Sequence, residues 1–265
     1  MQVRAKKSLG QNFLRDSNVI ERIVGSLKLT KEDTVVEIGP GLGALTGELL
    51  QAAGQVVAVE FDRDMVALLN TGFADADNLT IVNTDALQLD FASILQPEKK
   101  VKLVANLPYN ISTPILQRLS DQRHLFSELV LMFQREVVER ITAKAGAKGR
   151  GFLSVLVENA FDTQSLFDVS PTAFHPIPKV WSSVVRLIPK ESSVENEVLF
   201  RELVSTSFAQ KRKTIFNNLK HKYQDAAAIL AAGGIDAMRR AETLSLQEWS
   251  KLTEAVALTK NAGKS

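Results

Sequence analysis

The amino-acid sequence predicts an α/β chain in which a mostly parallel seven-stranded sheet, with an antiparallel last strand, is continued by a small all-helical C-terminal domain. Three observations carry this. Short β-branched runs alternate with helix-period segments from Thr34 to Arg140, the pattern of a parallel sheet with crossover helices. A glycine-rich turn, Gly39-Pro40-Gly41-Leu42-Gly43, follows the first of those runs directly. Beyond Pro189 the helix period continues without a strand-like run, so the domains are expected at 1–190 and 191–265.

Residues 1–15 have little periodicity. Val19, Ile20, Ile23, Val24 and Leu27 then mark one helix face, with Asp16 or Ser17 as its cap. Thr34 to Ile38 is a short buried strand, and Leu45, Leu49 and Leu50 mark the helix after the glycine turn. Strands follow at Val56 to Val59, Leu79 to Val82, Val101 to Ala105 and Leu129 to Phe133, each leading towards a helical segment or a polar turn. Phe152 to Phe161 reads as helix and Gln164 to Val169 as strand. Ser170 to Lys179 contains three prolines and can be neither helix nor central strand, and Val180 to Ile188 alternates as the last strand. Helices are expected at Val198 to Phe208, Lys213 to Lys220, Gln224 to Ala231 and Leu246 to Leu258.

Composition narrows the class. With 265 residues, 45% hydrophobic and 23% charged, the chain can bury a proper core and is neither disordered nor fibrous. No apolar run approaches the roughly eighteen residues of a membrane helix. The basic first ten residues lack the apolar centre of a secretory signal. The absence of cysteine removes disulfides, thiolate metal sites and a thiol nucleophile, and no metal is expected. A cytoplasmic, membrane-free protein fits this composition. The net charge is only +2, yet Arg4, Lys6 and Lys7, then Lys144, Lys148 and Arg150, then Lys211, Arg212, Lys213, Lys220 and Lys222 form three basic groups. Any one of them is an ordinary solvated face; three together suggest contact with nucleic acid phosphates.

The chemistry-bearing residues collect at the carboxyl ends of the predicted strands, where open α/β sheets place ligands. The glycines let a ligand approach the backbone closely. Glu60, roughly 20 residues past the turn, stands where an acid can accept from both ribose hydroxyls. Asp85 and Ala86 follow the third strand. Asn106-Leu107-Pro108-Tyr109 ends the fourth, joining an amide, a stiff proline and an aromatic ring in a way that suits a flat amino-bearing ring. Each signal has a plain counterpart: Glu60 or Asp85 alone serves equally well as a helix cap, and the tetrapeptide alone as a proline turn. Their succession argues for a site. A nicotinamide dinucleotide enzyme would share turn, acid and sheet, but the spacing here is Gly-x-Gly-x-Gly, with Ala44 where a dinucleotide turn has its third glycine.

Val36-Glu37-Ile38-Gly39-Pro40-Gly41-Leu42-Gly43 resembles the S-adenosylmethionine-binding motif. With Gln11-Asn12-Phe13-Leu14, Asn106-Leu107-Pro108-Tyr109, Gln134-Arg135-Glu136-Val137 and Phe174-x-Pro-x-Pro-Lys-Val180, the chain resembles the ribosomal RNA adenine N6,N6-dimethyltransferases from about Leu9 to its helical tail. Lys211-Arg212-Lys213-Thr214 and the extended tail are closer to the small-subunit type than to the antibiotic-resistance enzymes of the large subunit. The resemblance implies a Rossmann-like methyltransferase fold with S-adenosyl-L-methionine as cofactor. Gly39, Gly41 and Gly43 would line its methionine part, Glu60 would hold the ribose and Asp85 the adenine amino group, with Gln11, Asn12, Leu14, Glu37, Ala86 and Asn106 completing the pocket.

For the reaction, the resemblance implies that Asn106 and the Leu107 or Pro108 carbonyl accept the two N6 hydrogens of a target adenine, which Tyr109 and Phe174 sandwich. No general base is required, and His175 reads as a loop residue. The implied substrate is a pair of adjacent adenines in a loop near the 3′ end of small-subunit 16S rRNA, met by a monomeric enzyme within a pre-assembled subunit particle. Methylation of large-subunit RNA or DNA adenine, or a non-catalytic RNA-binding assembly or transcription factor on the same fold, are the alternatives. Trp181, where a polar residue is usual, and Phe152, where the family has arginine, depart from the pattern and leave the RNA contacts near the site open.

Overall fold

The computed structural model describes residues 11–95, 99, 101–108 and 111–262. Two short strands, β1 (Phe13–Leu14) and β8 (Phe174–His175), pair antiparallel. Apart from them, β2 (Thr34–Ile38), β3 (Gln55–Glu60), β4 (Leu79–Asn83), β5 (Val101–Asn106), β6 (Phe126–Gln134), β7 (Phe161–Val169) and β9 (Ser182–Pro189) form one sheet in the order β4-β3-β2-β5-β6-β9-β7. The pairs β2/β3, β2/β5, β3/β4 and β5/β6 are parallel, and β6/β9 is antiparallel. The chain runs outward from β2 to β4 and then returns to the other side of β2 as β5. This reversal opens a crevice at the carboxyl ends of β2 and β5, the switch point where doubly wound sheets bind ligands.

The sheet unit comprises residues 1–138 and 162–189. Its helices are α1 (Ser17–Ser26), α2 (Ala44–Ala52), α3 (Arg63–Gly72), α4 (Ser112–Asp121) and the start of α5 (Arg135–Ile141). Of the two candidate caps, Asp16 closes α1, accepting from Val19 N at 3.2 Å. Ile20, Ile23, Val24 and Leu27 are buried with Val35, Leu45, Leu49, Val104 and Val130, so the helix stripe and the β-branched strand faces exclude water together. The carboxyl end of α2 is satisfied by Lys31, whose ammonium donates to the Gln51 carbonyl at 2.6 Å and the Ala53 carbonyl at 3.2 Å.

Residues 139–161 and 190–265 form a second compact unit. It contains α6 (Phe152–Ala160), α7 (Glu197–Ser207), α8 (Ile215–Leu219), α9 (Ala226–Ala232) and α10 (Leu246–Ala262). Trp249, Phe200, Leu203, Leu219 and Leu252 are sealed in its centre, and Val155 of α6 packs with them. The chain does not divide at a single cut near 190: residues 139–161, expected in the sheet domain, belong to the helical unit. The reason is visible on α6, which is buried at Leu153, Val155, Leu156, Val157 and Ala160 and needs helix partners on more than one side. Among the described residues no helix is long and apolar enough to cross a membrane.

Candidate active site

Strand ends and one strap build the site. At the end of β3, Glu60 is 7% exposed. Its Oε2 accepts from Gly41 N at 3.1 Å and its Oε1 from Asp62 N at 2.8 Å. Burial pushes this carboxyl above the ordinary range, against the pull of the two backbone donors, and the neighbouring Asp62 charge adds to the rise. Gly39 N donates to the Val59 carbonyl and Gly43 N to the Pro40 carbonyl, both at 2.9 Å. All three glycine N–H groups of the turn are thus spent inside the protein. A phosphate-binding turn would aim them at its anion, so this turn is built for a different ligand.

Around it lies a cavity of about 260 Å³. One wall carries Glu37, Gly39 and Gly41, a second Glu60, Asp85 and Ala86, and a third Asn106, Leu107 and Pro108. Gln11, Asn12, Leu14 and Phe174 close it. Among the described residues, three carboxylates and no lysine, arginine or histidine face this space. It fits a cofactor that brings a cationic sulfonium, a ribose diol and an adenine, and it is hostile to a pyrophosphate. Asp85 divides its work: Oδ1 caps the following turn by accepting from Leu87 N at 2.9 Å, while Oδ2 meets the exposed Gln88 amide at 3.4 Å.

The strap comes from β1 and β8. Leu14 pairs with Phe174, and Arg15 N donates to the Ala173 carbonyl at 2.8 Å. Gln11 Nε2 reaches Asp62 Oδ2 at 3.1 Å, and the Asn106 amide donates to the Asn12 carbonyl at 3.4 Å. The segment from Gln11 to Leu14 is therefore tied to the ends of both β3 and β5. Phe13 lies over Gly41, where a Cβ would stand 3.2 Å from its ring. Two-residue strands leave no period to read, so this strap is not legible in the sequence.

Glu37 is 1% exposed and accepts from Thr46 Oγ1 at 2.6 Å. Burial pushes its carboxyl up to about 7, the Thr46 bond opposes the rise, and the Glu60 charge supports it. A carboxyl raised in the folded state favours folding below its unfolded pKa and loses that contribution as pH climbs through the folded value. Glu37→Gln should therefore gain stability relative to the unsubstituted chain between pH 4.5 and 7, by an amount on the order of 3 kcal/mol. Urea unfolding of both proteins at pH 5 and pH 8 checks this; parallel stabilities across that window would remove the buried proton.

Two predicted site residues fall elsewhere. Gly43 does not line the cavity. It caps α2 with φ of 81°, and a Cβ there would stand 2.5 Å from the Phe73 ring. Its task is to let α2 and Phe73 come together. Gly43→Ala should cost about 2–5 kcal/mol of stability from left-handed strain and overpacking, measurable by urea unfolding; a Phe73→Leu second change should recover the packing part. Arg150 is no surface cation. It is 4% exposed and binds Glu158 Oε2 at 2.6 Å, the Ala143 carbonyl at 2.9 Å and the Leu244 carbonyl at 3.2 Å, as a clip inside the helical unit.

Lys144, Lys148, Lys211, Arg212, Lys213 and Lys220 are exposed in the helical unit, whereas Lys222 is engaged with Glu202 at 3.2 Å. Arg4, Lys6, Lys7 and Tyr109 lie outside the described residues. Sequence reasoning missed Leu42 and Phe61, apolar residues that line the cavity while 39% and 60% exposed. An aromatic residue between Glu60 and Asp62 at a strand end is the signal that could have marked Phe61.

The chain was compared with known proteins. The family described as ribosomal RNA adenine dimethylase matches residues 2–258. Ribosomal RNA small subunit methyltransferase A of Geobacter sulfurreducens is 46% identical over 264 residues, covering 96% of each chain. The protein of the same name from Clostridium botulinum (strain Langeland / NCTC 10281 / Type F) is 42% identical over 256 residues, covering 94% of this chain and 93% of its own. Among solved structures, a dimethyladenosine transferase from Plasmodium falciparum superposes with a TM-score of 0.78 at 28% identity, over 94% of this chain and 98% of that one. The 23S rRNA methyltransferase ErmE superposes with a TM-score of 0.69 at 26% identity, over 93% and 100%. A seven-stranded sheet with its switch-point cavity, joined to a helical unit and matched along nearly its whole length, leaves one assignment: the chain belongs to the ribosomal RNA adenine dimethylase family.

Proposed function

We propose that this chain transfers methyl groups from S-adenosyl-L-methionine to N6 of adenine in small-subunit ribosomal RNA, adding two to each target base. The observation that carries the reading is the acceptor set at the end of β5, next to a cavity that three carboxylates line. Relatives above 40% identity are named for the small subunit, which favours that RNA over the large-subunit alternative. The intact acceptor set at Asn106 weighs against a non-catalytic binding role.

The cofactor supplies an electrophilic methyl on a sulfonium; the protein's part is to hold both reactants in line. The adenine N6 lone pair is delocalised into the ring. Two acceptors placed on its hydrogens draw that pair back onto nitrogen and aim it. Asn106 is oriented for this: its Nδ2 donates to the Asn12 carbonyl at 3.4 Å, which turns Oδ1 the other way. Of the two backbone candidates the Leu107 carbonyl is preferred, because the Pro108 carbonyl already accepts from Ile111 N at 3.3 Å. Phe174, only 4% exposed and packed with Leu14 and Val169, lines the cavity and would meet the base from one side. The broader stacking face is assigned to Tyr109. After one transfer the alkylated nitrogen gives a proton to water, a single N6 hydrogen remains, and the neutral, compact amide of Asn106 tolerates the methyl in the place of the other.

A paired adenine hides N6, so the target base must leave its stack. The exposed lysines and arginine of the helical unit, with Arg4, Lys6 and Lys7, would hold phosphates and give affinity that falls with salt. We further propose a monomer acting in the cytoplasm on two adjacent adenines in a loop near the 3′ end of 16S rRNA, within a partly assembled subunit. The experiment is to offer labelled cofactor with undermethylated small-subunit particles, large-subunit particles and naked RNA of each. Label confined to adenines of small-subunit RNA supports the assignment, and label in large-subunit RNA would overturn it.

A further inference from the structure

Exposed apolar side chains gather at two places around the carboxyl ends of the strands. Leu42 and Phe61 belong to the cofactor cavity. The other group has no place in it: Ile177, Val180 and Trp181 are 65%, 42% and 49% exposed on the loop that joins Phe174 to β9, while Pro178 between them is buried and anchors the loop. Water-facing tryptophan costs solvation without a partner. From the geometry we infer that Trp181, flanked by Val180 and Ile177, is a stacking platform for an unpaired RNA base next to the target adenine, and so a substrate-binding residue of this enzyme. The inference rests on the RNA methyltransferase reading.

Position supports it. The Trp181 carbonyl accepts from Arg135 N at 3.0 Å, and Ser182 pairs with Gln134, so the backbone of Trp181 is fixed just past the carboxyl end of β6. Asn106 pairs with Met132 on the same strand. Two strand spacings and about three residues of rise put the two Cα atoms roughly 14 Å apart. That is too far for the base whose N6 meets Asn106 and within reach of a neighbouring nucleotide. Lys179 is exposed between the apolar residues, and Arg135, half exposed and paired with Asp168 at 3.7 Å, stands beside the loop. An aromatic face with cations beside it suits a base and its phosphates, and stacking of this kind tolerates any base. Continuity with the reacting site, about 14 Å away across the same strand ends, favours RNA over a protein partner.

The test uses the full chain, Trp181→Ala, and Trp181→Phe as rescue, with an RNA hairpin carrying adenines in its loop and with undermethylated small-subunit particles. Trp181→Ala should raise the half-saturating hairpin concentration five-fold or more, leaving the cofactor dissociation constant and the rate at saturating RNA within two-fold, and Trp181→Phe should recover most of the loss. Fluorescence gives an independent readout, since the other tryptophan, Trp249, is fully buried in the helical unit: hairpin binding should quench the exposed emission of the unsubstituted chain and shield it from acrylamide. Half-saturation unchanged in Trp181→Ala, or emission unchanged on binding, would overturn the proposal. A defect seen with particles but not with the naked hairpin would assign the patch to a particle protein and equally overturn it. Failure of the unsubstituted chain to methylate any RNA would strike the functional reading instead, and the quenching would still decide the stacking.

Discussion

Asn106→Ala should lower the rate of methyl transfer by roughly 10²–10³-fold, the range seen when one preorganised hydrogen-bonding group is taken from a transition state. The cofactor dissociation constant should move by about two-fold or less, because the three carboxylates stay in place. The loss arises at the target nitrogen. Without the Asn106 oxygen, one N6 hydrogen has no acceptor, the lone pair returns to the ring and the nitrogen is free to turn. Some slackening of the strap is also expected, since the amide donates to the Asn12 carbonyl. Asn106→Asp separates the two effects: it keeps an acceptor for N6 but loses the donor to Asn12. Single-turnover transfer measured with pre-bound cofactor reads the chemical step. Transfer by Asn106→Ala at a rate comparable to the unsubstituted chain would remove the residue from the reaction.

Glu60→Ala acts on the other reactant. It should raise the cofactor dissociation constant ten-fold or more, since hydrogen bonds to a charged acceptor contribute about 1.5–3 kcal/mol each. The rate at saturating cofactor should be largely kept. The structure adds a cost that a strand-end acid does not announce. Glu60 already holds Gly41 N at 3.1 Å and Asp62 N at 2.8 Å, and its removal leaves the buried Asp62 donor unsatisfied, at about 1–3 kcal/mol, and the half-buried Gly41 donor without its partner. The variant should therefore unfold at lower urea as well as bind the cofactor weakly. Calorimetric titration of the folded variant distinguishes the two losses, and an unchanged dissociation constant would take Glu60 out of the cofactor site.

Much of the fold is legible because its signals are local and strong. The β-branched runs that became β2, β3 and β5 are buried on both faces, so each reads as a short apolar block whatever packs on it. The site residues are legible for a related reason: a polar residue at the end of such a block sits at the carboxyl edge of the sheet, as Glu60 and Asn106 do, and Asp85 lies two residues past β4. What stayed hidden depends on contacts distant in sequence. The pairing of Leu14 with Phe174 joins residues far apart through strands too short to show a period. Arg150 looks like one more loop cation until Leu244 and Glu158 close around it. Gly43 fits the motif, yet its glycine requirement comes from Phe73 at the end of α3. The placement of α6 in the helical unit rests on which neighbours bury it, and its own sequence shows only that it is apolar.

Glu37 shows how burial turns a motif residue into a charge-sensitive one. In the sequence it is an acid before a glycine turn. In the structure it is shut from solvent with its proton balance near neutrality. A sulfonium brought into that cavity favours the ionised carboxylate, so cofactor binding and the charge on Glu37 are coupled through the same space.

The most direct test of the account identifies the modified nucleoside itself. Small-subunit particles lacking the modification are incubated with the chain and S-adenosyl-L-methionine, the RNA is digested to nucleosides, and the products are resolved by mass spectrometry over time. The account predicts N6-methyladenosine that rises early and is consumed as N6,N6-dimethyladenosine accumulates, with both formed roughly 10²–10³-fold more slowly by Asn106→Ala. Methyl groups found on adenine N1, on another base or on ribose would contradict it.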